Sequence, residues 1–377
     1  MHNKLHILFL CSWYPSDVSP TNGDFIQRHA EAVSTQHLVS TIHIISKPNI
    51  KNSYFELKKV NNVNTYNGYV KHTTNPVLKS IRYFSMYKKL INQIESFDLI
   101  HLNVTYPMGL FALYQKWLYQ IPFIISEHWT GYLKTQSKKI SFLEKKITKT
   151  IIRKASFVCP VSENLKTNME QLGLRGNYNV VGNVIDTHIF KPEKEKEKSF
   201  TIAHVSSLND AQKNITGMLE TAKKLEDKIG AFTWNFIGGE STDFKEKIKD
   251  LNFKLANIQF INHLTQPELS THLQKAHICV SFSNYETFGL TMVESLAAGT
   301  PVISTNTGIL TELPKQDFFT IIQKKDNKDL LVNILKYYTN PSKDRHKMHS
   351  FVSTKFCRKT IAETFSELYI STIKHRR

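Results

Sequence analysis

Cysteine is scarce. The 377 residues hold four, Cys11, Cys159, Cys279 and Cys357, far apart and with no C-x-x-C pair. That excludes a disulfide-stapled mini-protein. Their apolar surroundings predict reduced, buried thiols in a cytosolic chain. Long hydrophobic runs are missing too, since none reaches the ~18 uninterrupted apolar residues of a membrane span. The stretch from Leu5 to Cys11 resembles a short signal h-region, but Trp13-Tyr14-Pro15-Ser16-Asp17 follows it without a small-residue cleavage pattern. The chain is therefore expected to be soluble or attached to a membrane surface.

Several catalytic fingerprints are also absent. There is no G-x-x-x-x-G-K-[ST], no G-x-G-x-x-G, no H-E-x-x-H and no G-x-S-x-G. No Asp-x-Asp pair occurs either, and hard divalent cations that carry a diphosphate usually need closely placed carboxylates. Any bound diphosphate must then be neutralised by main-chain amides and basic side chains.

Acidic residues are in deficit, with 32 Asp+Glu against 49 Lys+Arg, net +17. The excess is uneven: residues 1–183 hold 22 basic and 10 acidic side chains, and residues 184–377 hold 27 and 22. Such a field attracts phosphates of nucleic acid, anionic lipid or a diphosphate ligand without choosing between them. Apolar residues make up 41% of the chain, aromatic 11% and charged 21%, enough for sizeable cores. At roughly 100 to 200 residues per domain, two domains are expected.

Short apolar runs alternate with segments of helical period. Leu5–Trp13, Thr41–Ser46, Leu99–Asn103, Pro122–Glu127 and Ser156–Val161 read as buried strands separated by helices, the rhythm of parallel βαβ units. It breaks at Gly182-Asn183-Val184-Ile185-Asp186, ahead of Lys191-Pro192 and the charge run Glu193 to Lys198. It restarts at Phe200–Val205, Phe232–Ile237, Ile258–Asn262, Ile278–Phe282, Pro301–Ser304 and Thr320–Ile322. The expected fold is α/β: two Rossmann-like, doubly wound domains facing across a cleft, spanning 1–183 and 199–354, with a linker at 184–198. A C-terminal helix over 355–377 caps the second domain or crosses back to the first.

The most informative segment runs from Ser281 to Pro301 and reads as strand, loop, helix, stop. A helix starting near Phe288 places Leu290, Val293, Leu296 and Ala297 on one face, and Gly299 with Pro301 ends it. Glu286 then lies in the loop at the strand's carboxyl end and Glu294 about two turns into the helix. The amides of Phe288, Gly289 and Leu290 offer an anion site, and Gly289 allows close approach. The two carboxylates can bind hydroxyls of the molecule that carries the anion.

Glu286-x7-Glu294, inside N-Y-E-T-F-G-L-T-M-V-E-S-L-A-A-G-T-P-V-I-S, closely resembles the signature of the family 4 retaining glycosyltransferases of GT-B fold. Pro20-Thr21-Asn22-Gly23-Asp24-Phe25-Ile26 with Arg28-His29-Ala30 is similar to that family's first glycine loop and helix. Ser126-Glu127-His128-Trp129 is similar to its N-domain histidine site, Val161-Ser162-Glu163 to a recurrent strand end, and Asn183-Val184-Ile185-Asp186 with Phe190 and Pro192 to its interdomain segment.

The resemblance implies a hexosyltransferase-type enzyme with an acceptor-binding first domain and a nucleotide-sugar-binding second. It implies that His128 and Glu286 are catalytic, with Glu286 on donor-sugar hydroxyls, Glu294 on the ribose and Phe288, Gly289 and Leu290 on the diphosphate. Gly23 leaves room for phosphate and acceptor. Lys213 matches the family's diphosphate lysine, whereas Ser207 stands where its arginine is expected, with the Ser207 hydroxyl or Arg28 as substitutes. Trp129 and Tyr132 are candidates for the acceptor pocket. No cofactor and no metal are expected, because the nucleotide-sugar is a substrate.

The implied reaction moves a sugar from a UDP- or GDP-sugar to a glycan or lipid-linked acceptor in cell-surface polysaccharide synthesis. The expected location is the cytoplasm, peripheral at the inner face of its membrane. Within Lys138 to Lys154, Ile140, Leu143, Ile147 and Ile151 recur at helical spacing beside Lys138, Lys139, Lys145, Lys146, Lys149, Arg153 and Lys154, a pattern suited to an anionic membrane or to a solvated surface helix. A catalytically inactive nucleotide-sugar binder would share every motif; intact Glu286, Glu294, His128 and Lys213 argue against it. A nucleic-acid binder fits the charge alone, as no helix-turn-helix, zinc-finger or RNP-like pattern is present.

Overall fold

A computed structural model describes residues 4–240, 242–341 and 344–374, the side chain of Lys139 excepted. The chain forms two compact units, Met1–Val184 with Arg358–Arg377, and Ile185–Cys357.

In the first unit the strands are β1 (His6–Cys11), β2 (Leu38–Lys47), β3 (Tyr54–Val60), β4 (Val63–Lys71), β5 (Leu99–Asn103), β6 (Phe123–Glu127) and β7 (Val158–Pro160). Its helices are α1 (Asp24–Ser34), α2 (Pro76–Ile91), α3 (Gly109–Tyr119), α4 (Phe142–Lys154) and α5 (Glu163–Gln171). The sheet order is β3-β4-β2-β1-β5-β6-β7. All pairs are parallel except β3 with β4, an antiparallel hairpin turning through Asn61 and Asn62, both at positive φ (45° and 67°). The sequence rhythm missed this hairpin. Its strands are rich in Lys, Asn and Tyr rather than forming an apolar run, and β3 is a half-exposed edge.

The second unit holds β8 (Thr201–Val205), β9 (Thr233–Ile237), β10 (Asn257–Ile261), β11 (Ile278–Ser281), β12 (Val302–Thr305) and β13 (Phe319–Ile322). With them are α6 (Asp210–Lys213), α7 (Ile215–Ile229), α8 (Lys245–Leu251), α9 (Gln266–Lys275), α10 (Leu290–Ala297), α11 (Asn327–Thr339) and α12 (Arg345–Phe356). The order β10-β9-β8-β11-β12-β13, parallel throughout, is that of a doubly wound nucleotide-binding sheet. One core cluster, around Trp234, Phe236, Met218 and Leu225, packs against this sheet.

The linker differs from the sequence reading, and the C-terminal helix takes one of the two courses left open, starting three residues later. Residues 185–198 belong to the second unit rather than forming a free tether: Lys196 donates to the Ala276 carbonyl (2.6 Å) and the Thr300 hydroxyl (2.6 Å). The last helix, α13 (Arg358–Lys374), belongs to the first unit, where Phe365 and Tyr369 join its core. Residues 355–357 stay with the second unit, as the end of α12 and the residue after it. Cys11, Cys159 and Cys279 are buried free thiols; Cys357 is partly exposed. No helix among the described residues is long and apolar enough to cross a membrane.

Candidate active site

Strand order reverses between β8 and β11, so the connections leaving their carboxyl ends diverge and leave room for a ligand. The two connections are laced together. Asn284 N donates to Gln212 O (2.7 Å), Asn284 Nδ2 to Ala211 O (3.0 Å) and Gln212 Nε2 to Tyr285 O (3.3 Å). Lys213 ends α6, a single turn capped by Asn209 and held by Asp210, which accepts from the Thr216 amide and hydroxyl at 2.8 Å each. This fixed turn aims Lys213 Nζ at Glu286 Oε1 (2.5 Å), which also accepts from Ser283 Oγ (2.8 Å). None of the described residues donates to Glu286 Oε2. Both partners are largely enclosed, with side chains 15% and 11% exposed.

Behind this pair His204 joins β8 to β11. Its Nδ1 lies 2.8 Å from the Val280 carbonyl, which can only accept, so Nδ1 carries the proton and Nε2 accepts from Ser206 Oγ (2.7 Å). Ser206 Oγ in turn accepts from the Leu208 amide (3.0 Å). Burial lowers the His204 pKa to about 4, so the ring is neutral at working pH. Ser207, the next residue, is exposed.

The helix expected near Phe288 begins two residues later. Gly289 is the N-cap of α10, at φ 80°, and as a glycine it supplies no side-chain cap. The tip therefore presents the amides of Leu290 and Thr291, while that of Met292 turns back to Gly289 O (3.1 Å). Phe288 anchors the loop before α10: its ring is buried edge-on to Phe356 and its carbonyl accepts from Ile309 N (2.8 Å). Thr291 Oγ1 ties α10 to the end of β8 through Val205 O (3.3 Å). Glu294, one turn on and on the same side as Thr291, is buried, 1% exposed. At its far end α10 closes in a Schellman motif, Gly299 N to Leu296 O (3.0 Å) and Thr300 N to Ser295 O (2.9 Å), with Gly299 at φ 75°.

In the first unit α1, like α10, starts on a glycine without a side-chain cap; Gly23 has φ 76°. A Cβ there would lie 2.6 Å from the Trp13 carbonyl carbon, so the close neighbour that demands glycine is the β1 loop's own backbone. Arg28 is buried and paired with Asp24 (2.8 Å).

His128 follows β6 and is buried against Phe25 (4.7 Å between ring centroids) and His29 (5.5 Å). Desolvation first, then His29 and His101, holds its pKa well below the usual range, so the ring is neutral. Asn183 lies beside it, yet neither ring nitrogen finds a hydrogen bond of normal geometry among the described residues. Buried polar atoms left in that condition call for a partner from outside. Glu127 fixes the histidine's backbone. Its Oε1 accepts from the amides of His128 and Trp129 (2.9 Å each), and its Oε2 from the Thr105 amide (2.9 Å) and hydroxyl (2.6 Å).

Trp129 is half-buried and covers Tyr132 edge-on (5.1 Å). Tyr132 is 1% exposed and packs edge-on against Trp129. Sequence reasoning did not assign Ser283, His204, Ser206 or Glu127. Only Glu127 carried a signal, its place beside His128. Among the described residues no cluster of three or more His, Cys, Asp or Glu could hold a metal ion.

Residues 185–352 match the profile of "Glycosyl transferases group 1" and residues 42–189 that of "Glycosyltransferase Family 4". An uncharacterized glycosyltransferase of Methanocaldococcus jannaschii is 25% identical over 288 residues, 74% of this chain and 77% of that one. The alpha-monoglucosyldiacylglycerol synthase of Streptococcus pneumoniae is 23% identical over 244 residues, 59% of this chain and 55% of its own length. Among solved structures, sucrose-phosphate synthase from Thermosynechococcus elongatus superposes with TM-score 0.77 over 99% of this chain and all of that one, at 15% identity. Anabaena HepE in complex with UDP-glucose gives 0.73 over 98% of this chain and all of its own, also at 15% identity. With two family profiles together spanning residues 42–352 and the fold shared end to end, the chain belongs to the family 4 glycosyltransferases of GT-B fold.

Proposed function

We propose that this glycosyltransferase moves a hexosyl group from a UDP- or GDP-sugar, with retention and without a metal, to a glycan or lipid-linked acceptor in cell-surface polysaccharide synthesis in the cytoplasm. The observation that carries the reading is the convergence of Lys213, Ser283 and Glu286 after β8 and β11, beside the uncapped tip of α10. Departure of the nucleotide puts negative charge on the β-phosphate. The Leu290 and Thr291 amides and Lys213 are the groups suited to receive it. A pyrophosphate there competes with Glu286 for Lys213, and with Ser207 contributing no charge the main-chain amides carry the larger share.

Glu286 Oε2, to which none of the described residues donates, takes a donor-sugar hydroxyl, and buried Glu294 takes the ribose. His128, neutral, supplies hydrogen bonds rather than charge at the reaction centre. Retention rests on the family resemblance, with same-face attack assisted by the leaving phosphate and no protein carboxylate assigned as nucleophile. The lipid-linked acceptor draws support from the glycolipid synthase among the relatives.

The test is transfer by a Glu286→Gln variant whose circular dichroism matches the parent. Removing one transition-state contact of this kind costs on the order of 10² to 10³ in rate. Full transfer by that folded variant overturns the assignment. Thermal-shift screening against UDP- and GDP-sugars, with and without EDTA, identifies the donor; saturation at about 100 times Kd adds about 2.7 kcal/mol.

A further inference from the structure

The helices α2, α3 and α4 of the first unit lie side by side. Tyr87 stacks on Phe111 (4.2 Å), and Lys116 Nζ donates to the Lys154 carbonyl (2.7 Å). α3 departs from the usual amphipathic arrangement. Its buried residues are Gly109, Ala112 and Gln115, small or polar, whereas Leu110, Trp117, Leu118 and Tyr119 are exposed. Leu110, Trp117 and Leu118 recur at helical spacing, so they form one outward stripe where a solvated helix carries charge.

The neighbours extend this face. α2 adds exposed Val77 and Ile81, and α4 adds Leu143 and Phe142, the latter 84% exposed. On α2 a groove of about 570 Å³ is lined by Ile81, Phe84, Lys88 and Lys89 among others. Of the eighteen exposed large hydrophobic side chains among the described residues, ten lie on these three helices. The same helices carry ten Lys or Arg and a single acid, Glu144.

We infer that this face docks the enzyme on an anionic phospholipid leaflet. Isolated exposed hydrophobics need no explanation, but an apolar stripe among ten cations does. A second copy would set ten cations against ten, and a nucleic acid would match the charge while leaving the stripe in water. An anionic leaflet satisfies both: headgroup phosphates meet the lysines, while Trp117, Leu118 and Phe142 enter the acyl boundary where amphipathic helices lie. Phe142 also starts the helix that ends the connection carrying His128 and Trp129, so docking holds that connection at the leaflet. This last point rests on the lipid-linked acceptor of the proposed function; the docking does not.

The full chain is sedimented with vesicles of phosphatidylcholine plus phosphatidylglycerol and with vesicles of phosphatidylcholine alone. Binding is expected only to the anionic vesicles. It should weaken at least about tenfold in Trp117→Ser/Phe142→Ser and in Lys145→Glu/Lys146→Glu/Lys149→Glu. Trp117 is the most exposed of the four tryptophans, at 78%, so tryptophan emission should shift to the blue on docking and Trp117→Ser should abolish the shift. Equal binding to both vesicle types, unchanged binding by both variants, or a dimer that Trp117→Ser dissociates overturns the docking. A nucleotide-sugar thermal shift, expected to be unaltered in these variants, reports separately on the donor reading.

Discussion

The two units share a parallel, doubly wound layout but treat their outer helices in opposite ways. In the second unit α7 buries Ile215, Met218, Leu219, Ala222 and Leu225 and exposes Lys224, Asp227 and Lys228, the ordinary amphipathic solution. In the first unit α3 exposes Leu110, Trp117, Leu118 and Tyr119, while its fully buried residues are Gly109, Ala112 and Gln115. Charge follows the same division: the first unit holds 27 basic and 12 acidic residues, net +15, and the second 22 and 20, net +2. One topology thus carries two surfaces, because strand order fixes only where a helix sits. Which of its faces is apolar is a separate property of sequence, and here it sets a basic, partly apolar lobe against a nearly neutral one.

The interiors differ as well, and acid is the strongest way to separate them. In the first unit burial lowers the pKa of His29 and His43 to about 4 and holds His101 and His128 well below the usual range; of the second unit's histidines, His204 is the one so deeply buried. A histidine with a folded-state pKa below its unfolded value of 6.5 makes the unfolded chain bind more protons between the two values. Its contribution is complete above pH 6.5 and is lost as pH falls toward 4. At about pH 5 each of His29 and His43 should forfeit about 2 kcal/mol. Hydrogen exchange should therefore show the first unit opening before the second on acidification; the reverse order would break the contrast.

Next in size is a pair of tryptophan substitutions. Trp234 is fully buried in the second unit, and Trp234→Ala should cost about 3 to 5 kcal/mol in urea denaturation. Trp117→Ala in the first unit should change stability by less than about 0.5 kcal/mol, as expected for a side chain that contributes to a surface rather than a core.

The smallest effect probes what the units have in common, an uncapped glycine start to α1 and to α10. Gly289→Ala places a Cβ against Met292 Cε at φ 80° and should cost about 1 to 2 kcal/mol. Nucleotide-sugar affinity should fall with it, as read by calorimetry. A stable variant with unchanged affinity would remove the α10 tip from the site.

The segment from Ser281 to Pro301 was legible because everything that defines it is local: an apolar run, a glycine at positive φ, helical spacing to Glu294 and a Gly-x-Pro stop. Ten of the eleven expected strands fall at or within a few residues of those observed, and the first, Leu5–Trp13, contains β1. The β3–β4 hairpin escaped because polar edge strands lack the apolar run that marks a buried one. Which way Tyr132 faces was not legible, because an aromatic after a strand can face outward or inward, and packing against Trp129 decided it.

From sequence alone came the alternation of strand and helix, the family, and the acids and lysine at the candidate site, since periodicity and short motifs are written along the chain. Tertiary structure alone decided that Lys213 and Glu286, 73 residues apart, share a hydrogen bond, that Glu127 pins the backbone of His128, and that α3 turns its apolar stripe outward. Those facts depend on which strands become neighbours and which helix face meets the sheet, and no local pattern encodes either.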